Sequence, residues 1–197
     1  MASSWNHSSH SGTLRRSATR SWPSYTPYDV RAIIERIEHG DFFCIDTNIW
    51  LKGDYEPGIE GMLGWLKERR SFIAISAAQR EELNKLRHDS RPALASAAAT
   101  VARRMVNAAK DQVVRYPDPP AHRPDAYLDN NLIRMLRAHL RRANGGMGYG
   151  IVVTDDVELT GRIYTLPAEQ GRGSEAVTVL TGPEFTAVMR RDKRRIP

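Results

Sequence analysis

Residues 42–51 read FFCIDTNIWL, and this stretch decides the fold. Its uncharged, apolar start predicts a strand over 42–46 that is buried on both faces, as in a parallel sheet. The strand ends at Asp46, and open α/β sheets bind ligands at the carboxyl ends of their strands. A carboxylate there is costly to desolvate without a cationic partner. Asp46 is therefore either a site residue or the N-cap of a following helix, and the stretch itself favours neither role.

The rest of the chain alternates short apolar segments with segments of helical periodicity. The apolar segments predict further strands at 72–76, 113–114, 151–154 and 177–180. The helical segments are at 57–70, 77–86, 92–110, 125–144 and 157–164, and a last helix opens at 183. This alternation is typical of an α/β fold with a parallel sheet covered by helices on both faces.

The ends of the chain differ in composition from its centre. Residues 1–25 are rich in Ser and Arg and contain no acidic residue, which predicts a disordered basic arm. We expect a single domain over 26–190, with a helix before the first strand and a helical insertion at about 88–124. Residues 191–197 form a basic tail.

Charge and cysteine content narrow the class of protein. The net charge is +6 and most basic residues are arginines, whose planar fork matches phosphate, so a nucleic-acid partner is favoured. Cys44 is the only cysteine, so a disulfide within the chain is impossible and a reducing, cytoplasmic location is expected. No apolar run has the length of a membrane span.

Several carboxylates are predicted to meet at one edge of the sheet, because two strands end in acids and two flanking helices carry acids near their starts. Like charges about 4 Å apart repel by about 4 kcal/mol at an effective dielectric of 20, so retained protons or a divalent cation must compensate. Oxygen ligands suit Mg²⁺ or Mn²⁺, which promote phosphoryl chemistry by activating water. Each acid taken singly could instead cap a helix or be a solvated surface charge. The acids are Asp46, Asp155, Asp156, Glu82, Asp129 and Asp125.

Four short motifs, in order along the chain, resemble those of the PIN-domain nucleases. An apolar strand runs into Asp-Thr-Asn at 45–48, and Glu-Leu-x-x-Leu follows at 82–86. An Asp leads an apolar helical run at 129–133, and Thr-x-Asp follows a strand at 152–156. Each motif is common by chance, and it is their order and approximate spacing that carry the similarity.

This resemblance implies a three-layer α/β/α fold with a central, mostly parallel five-stranded sheet over about residues 42–185. It implies an endoribonuclease that uses Mg²⁺ or Mn²⁺ to hydrolyse phosphodiester bonds, usually of single-stranded RNA. The implied metal ligands are Asp46, Glu82, Asp129 and Asp156, with Asp125 and Asp155 as alternates, and Thr154 and Asn48 would support the site through hydrogen bonds.

Other partners follow from charge and from the family. Arginines on the predicted helices are candidates for contacting the RNA backbone, although a solvated polar face explains them equally. A homodimer is left open, and an inhibitory protein partner is expected only if the chain belongs to a toxin–antitoxin pair. The helix before the first strand and the insertion at 88–124 depart from the small toxin members. The candidate arginines are Arg103, Arg104, Arg137, Arg141 and Arg142.

The main alternative is a non-catalytic PIN-like module that binds RNA or a protein. Such a module is expected to have a broken set of acids, and here the set is intact. A phosphatase with an Asp nucleophile normally has a second acid two residues later, where this chain has Asn48. A receiver domain needs paired acids near its first strand and a Lys after a late strand, and neither is evident. The sequence therefore favours the nuclease.

Overall fold

The computed structural model describes residues 35–36, 42–115, 128–142 and 148–192. Within these ranges the strands are β1 (Phe42–Ile45), β2 (Ile73–Ala74), β3 (Val114–Arg115), β4 (Gly150–Val153) and β5 (Val177–Leu180). The α-helices of the same ranges are α1 (Thr47–Leu51), α2 (Glu56–Glu68), α3 (Ala77–Leu86), α4 (Pro92–Lys110), α5 (Leu128–Arg142), α6 (Val157–Glu169) and α7 (Gly182–Asp192). Two 3₁₀ turns, Gly53–Tyr55 and Ser174–Ala176, lie before α2 and β5.

The strands form two parallel sheets. β1, β4 and β5 make a three-stranded sheet in the order β1-β4-β5, and β2 pairs with β3 in a second sheet. Phe43 is in register with Ile151, which is in register with Thr178. β2 contacts β1, but no backbone ladder joins the two strands in the described part of the chain. The prediction of an α/β fold with parallel strands is confirmed, and the prediction of one central five-stranded sheet is wrong.

At the end of β1, a backbone carbonyl that faces β2 accepts its hydrogen bond from a side chain and not from β2. Asp46 N–H donates to Val153 O of β4 at 2.9 Å. Because backbone groups alternate in direction along a strand, the carbonyl of Ile45 faces the opposite side, toward β2. There the side-chain amide of Gln79 donates from Nε2 to Ile45 O at 2.6 Å. Gln79 belongs to α3, which follows β2, so its amide takes the place of a ladder bond.

The three-stranded sheet is buried on both faces, as the sequence predicts. On one face Phe43 and Ile45 pack in a cluster with buried residues of α2, α3, α4 and α7. On the other face Cys44 and Val152 pack with buried residues of α5 and α6. In these three strands the one polar side chain is that of Thr178 in β5, which accepts a hydrogen bond of 3.0 Å from Arg36 Nη1. The carboxylates lie instead where the strands end, at Asp46 after β1 and at Asp155 and Asp156 after β4.

One helix was not predicted and another is longer than predicted, each for a local reason. α1 was not predicted, and it begins at Thr47, inside the motif at 45–48. A helix of five residues is unstable alone, but Ile49 and Trp50 are buried and hold it. α6 continues past its predicted end at 164, with Pro167 inside its last turns. A proline so near the end removes few backbone bonds, and its burial favours the helical position.

The segment predicted as an insertion contributes to the main core. α4 has the bounds predicted for the helix at 92–110, which confirms that helix. It buries Ala98, Val101 and Met105 in the same cluster as β1. The turn after α4 leads to β3, which pairs with β2. The described part of the segment is thus integrated into the fold.

Several predictions fall outside the described residues. They concern the arm at 1–25, most of the helix before β1, residues 116–127, and residues 193–197 of the basic tail. Of the helix before β1, the structure describes only Glu35 and Arg36, and both are helical. Among the helices that the structure describes, none is both long enough and apolar enough to cross a membrane.

We expect Cys44 to be unreactive in the folded protein. Cys44 is 2% exposed, and burial together with the nearby Asp46 carboxylate raises the pKa of its thiol to about 12. Reaction with a thiol reagent therefore requires unfolding, so native labelling should be slower than labelling in denaturant by about three orders of magnitude or more. Mass spectrometry reads this site alone, since the chain has one cysteine. Rapid native labelling would show instead that β1 opens locally.

Candidate active site

Asp46 is a buried carboxylate at the carboxyl end of β1. It is 3% exposed, and its Oδ2 accepts a hydrogen bond of 2.8 Å from Thr154 Oγ1. Asp46 holds the N-cap position of α1, yet its side chain makes no capping hydrogen bond. Helix capping therefore does not explain why this charge is buried, which is the physical mark of a site residue. Asn48, two residues on, is exposed on α1.

Thr154 joins the ends of β1 and β4. Its hydroxyl donates to Asp46 Oδ2 and accepts a hydrogen bond of 3.1 Å from the backbone N–H of Asp156. Thr154 is buried, and its own N–H donates to Leu180 O of β5. One buried hydroxyl thus fixes the acid after β1 relative to the acids after β4.

Asp156 caps α6 from its position at this edge. Its Oδ1 accepts a hydrogen bond of 2.8 Å from Leu159 N–H, and the Thr160 hydroxyl donates to its backbone carbonyl. The cap uses one oxygen of the carboxylate and does not use the other. The sequence presents capping and metal binding as alternatives for Asp156. With one oxygen in the cap, the other oxygen can still serve as a ligand.

Asp155 lies beside Asp156 but has a different set of partners. Its Oδ2 accepts hydrogen bonds from Lys52 Nζ at 2.6 Å and from Tyr55 Oη at 2.8 Å. Its Oδ1 accepts one from Gly182 N–H at 2.8 Å. Partial burial raises the pKa of Asp155, but these donors outweigh it and lower the pKa below its ordinary value. Because both oxygens are occupied, Asp156 is the better candidate for a metal ligand.

Glu82 is carried toward the same edge by α3. Gln79, which is bonded to Ile45 O, lies three residues before Glu82 on the same face of the helix. Ser76 and Gln79 form a capping box: Ser76 Oγ accepts from Gln79 N–H, and Gln79 Oε1 accepts from Ser76 N–H. This box fixes the start of α3. The half-buried Glu82 is therefore on the face that meets the end of β1.

The remaining predicted ligands are Asp129 and its alternate. The backbone of Asp129 lies in the first turn of α5, a helix that contacts α3, β1 and β4. The side chain of Asp129 and all of Asp125 lie outside the described residues. Among the described side chains, no three acids, histidines or cysteines are close enough together to hold one metal ion. Of the four predicted ligands, the structure describes the side chains of Asp46, Glu82 and Asp156.

Two of the arginines predicted to contact RNA lie on α4. Arg104 forms an ion pair with Glu56 of α2 and approaches Glu60 at 3.9 Å. Arg103 is exposed, and its guanidinium donates to Thr100 Oγ1 at 3.4 Å. Arg104 therefore joins two helices, and the role of either residue in RNA binding stays a prediction.

The other candidate arginines lie on α5. Arg137 pairs with Glu169 at 2.9 Å, and Arg141 Nε donates to Gln170 Oε1 at 3.0 Å. Both contacts join α5 to the end of α6. The side chain of Arg142 lies outside the described residues. Contact between these arginines and RNA also stays a prediction.

Three residues of this edge are not predicted by any motif: Lys52, Tyr55 and Gln79. The spacing of Ser76 and Gln79 matches the capping-box motif, which predicts the start of a helix from sequence. The bond from Gln79 to Ile45, however, exists only once β1 and α3 are packed together. For Lys52 and Tyr55 the sole signal is that they follow Asp46 closely in the chain.

Comparison with known proteins adds no relative: no protein-family model, curated protein or solved structure matches the chain. The resemblance to PIN domains therefore rests on the motifs and on the arrangement of the acids. What is observed is an α/β protein with parallel strands and a group of acids at the carboxyl edge of its larger sheet.

Proposed function

We propose that this protein is a metal-dependent endoribonuclease of the PIN-like type, which hydrolyses phosphodiester bonds in single-stranded RNA. The observation that carries the proposal is the buried carboxylate of Asp46, held by Thr154 at 2.8 Å beside the acids that follow β4. The acids that follow β1 and β4 lie at one sheet edge, where α/β proteins bind ligands, and Glu82 lies on α3, whose Gln79 bonds to the end of β1. The net charge of +6 suits a polyanionic substrate.

The donor chemistry of the acids at this edge suits a hard divalent cation, although no three of the described acids are within reach of one ion. Asp46, Glu82 and Asp156 offer carboxylate oxygens, the ligands that Mg²⁺ and Mn²⁺ prefer, and the motif adds Asp129. Mg²⁺ commonly keeps several waters and uses one or two protein carboxylates, so a closed cage of protein ligands is not required. When bound, such an ion lowers the pKa of a water nucleophile and neutralises charge on the phosphate.

The contribution of the protein itself is to hold its acids in place. Thr154 donates to one oxygen of Asp46 and accepts from Asp156 N–H, so it orients the two acids relative to each other. Burial of Asp46 excludes water and strengthens the electrostatic action of its charge. The bond from Gln79 to Ile45 O sets the position of Glu82. Preorganised charge of this kind is commonly the largest contribution of a protein to catalysis.

Cleavage of an end-labelled RNA tests the proposal. We expect the full chain to cut single-stranded RNA internally with Mn²⁺ or Mg²⁺, to stop in EDTA, and to resume when Mn²⁺ is added in excess of the chelator. A DNA strand of the same sequence, run in parallel, distinguishes a ribonuclease from a general nuclease. If neither strand is cut with any divalent cation tested, the nuclease proposal is wrong.

The second candidate is a non-catalytic module that binds RNA or a protein. It is favoured by the roles that two of the acids already have in the scaffold, since Asp156 caps α6 and both oxygens of Asp155 accept hydrogen bonds within the fold. Such a module would bind RNA equally well in EDTA and in Mn²⁺ and would leave it uncut. A gel-shift experiment on the samples used for cleavage therefore separates the two candidates.

A further inference from the structure

A cluster of three side chains lies at the carboxyl edge without a role in the acidic site: Lys52, Tyr55 and Asp155. Lys52 Nζ is 2.6 Å from Asp155 Oδ2, and Tyr55 Oη donates to the same oxygen at 2.8 Å. Asp155 stands between Thr154 and Asp156 in the sequence. The lysine ammonium is thereby bonded to the residue that immediately precedes Asp156, a proposed metal ligand. The side chain of Lys52 is nevertheless 50% exposed, so a ligand can reach it.

The cluster is built into the fold by its packing. Asp155 Oδ1 accepts a hydrogen bond of 2.8 Å from Gly182 N–H at the start of α7. The ring of Tyr55 lies so close to Gly182 that a Cβ atom at this position would overlap the ring. The turn that carries Lys52 is thus fixed to the segments that follow β4 and β5. An exposed ion pair contributes little to stability, so stability alone does not explain why this ammonium is fixed here.

The positive charge of Lys52 would offset the repulsion between the acidic site and a phosphate. A phosphodiester that approaches Asp46 and Asp156 meets negative charge, which repels it. The ammonium of Lys52 has three N–H donors, and the bond to Asp155 uses one of them. A lysine side chain carries its positive charge at neutral pH.

From this geometry we infer that Lys52 binds a phosphate of the RNA strand at the mouth of the acidic site, with Asp155 and Tyr55 as positioning residues. The inference rests on the proposed nuclease function and names one group that contacts its substrate. Because a phosphate contact carries no base information, its loss should weaken the binding of different RNA sequences to the same extent.

Binding of RNA without cleavage tests this inference. A fluorescein-labelled single-stranded RNA is titrated with the full chain at several salt concentrations, once with Ca²⁺ and once with EDTA, and Kd is read from fluorescence anisotropy. Each phosphate contact to a single strand contributes about 0.7 to the slope of log Kd against log salt concentration. We expect Lys52→Gln to reduce this slope by about 0.7, and Lys52→Arg, which keeps the charge, to retain the wild-type slope.

Lys67→Gln is the matched control. Lys67 also pairs with an aspartate, Asp111, at 2.9 Å, and its side chain is 62% exposed, but it lies at the end of α2 and away from the acids. We expect it to keep the wild-type slope, because its ion pair belongs to a different surface. A loss of slope in both Gln variants would overturn the inference, since any lysine would then have the same effect.

The failure of this inference is distinguishable from the failure of the proposed function. If the wild type cuts RNA but Lys52→Gln binds with an unchanged slope, Lys52 is not a phosphate contact and the nuclease stands. If the wild type neither binds nor cuts RNA, both proposals are wrong. In the cleavage assay we expect Lys52→Gln to raise KM about tenfold with little change in kcat. A fall in kcat alone would contradict a substrate contact.

Discussion

Replacing Asp46 with Asn is expected to reduce metal-dependent cleavage of RNA by about a hundredfold or more while the fold stays intact. The amide has nearly the size of the carboxylate, and its oxygen can still accept the bond of 2.8 Å from Thr154 Oγ1. What Asn lacks is the negative charge that would hold the metal. Loss of one preorganised electrostatic group typically lowers kcat by about 10²–10³.

We expect Asp46→Asn to lose activity without losing stability. Asp46 is 3% exposed, and a buried ionised carboxylate is costly even when it is hydrogen-bonded. We therefore expect the free energy of unfolding of Asp46→Asn, from urea denaturation, to be within about 1 kcal/mol of the wild-type value or above it. Activity that is lost from a stable protein assigns Asp46 to the site and not to the scaffold.

Asp111→Asn provides the matched control, because it makes the same chemical change at an exposed aspartate that pairs with Lys67 at 2.9 Å. We expect it to cleave at the wild-type rate. Full activity in independently purified Asp46→Asn would remove Asp46 from the mechanism. An equal loss in both Asn variants would indicate a general effect of charge.

Replacing Gln79 with Ala is expected to lower the free energy of unfolding by about 2–4 kcal/mol, measured by urea denaturation. Gln79 is 1% exposed, and its side chain serves two buried backbone groups. Nε2 donates to Ile45 O at 2.6 Å, and Oε1 accepts from Ser76 N–H at 3.2 Å. Each group left without a partner costs about 1–3 kcal/mol. Cleavage should also fall, because the start of α3 positions Glu82.

Two further variants separate the parts of this effect. Gln79→Glu keeps an oxygen for Ser76 N–H but, when ionised, replaces the donor to Ile45 O with a buried negative charge, so it should be less stable than Gln79→Ala. Gln170→Ala removes a glutamine that accepts from Arg141 Nε at 3.0 Å on the surface, and it should cost less than about 0.5 kcal/mol. If Gln79→Ala were as stable as the wild type, another donor, such as the backbone of β2, would have to satisfy Ile45 O.

The sequence by itself determined the main strands, most helices and the edge at which the acids lie. The apolar segments that become β1, β4 and β5 are readable because a strand buried on both faces must be apolar throughout. α4 matches its predicted bounds because Pro92 begins it and a periodic apolar face runs along it. The positions of Asp46 and Asp156 follow from the strands, since parallel strands end at one edge.

Only the tertiary structure decided how the strands divide and what each acid binds. At the end of β1 it is the Gln79 side chain, and not β2, that bonds to Ile45 O, and Asp155 differs from Asp156 because Lys52, Tyr55 and Gly182 donate to it. Local periodicity reports which face of an element is buried. It carries no information about bonds between residues far apart in the chain, because those exist only after the elements have packed.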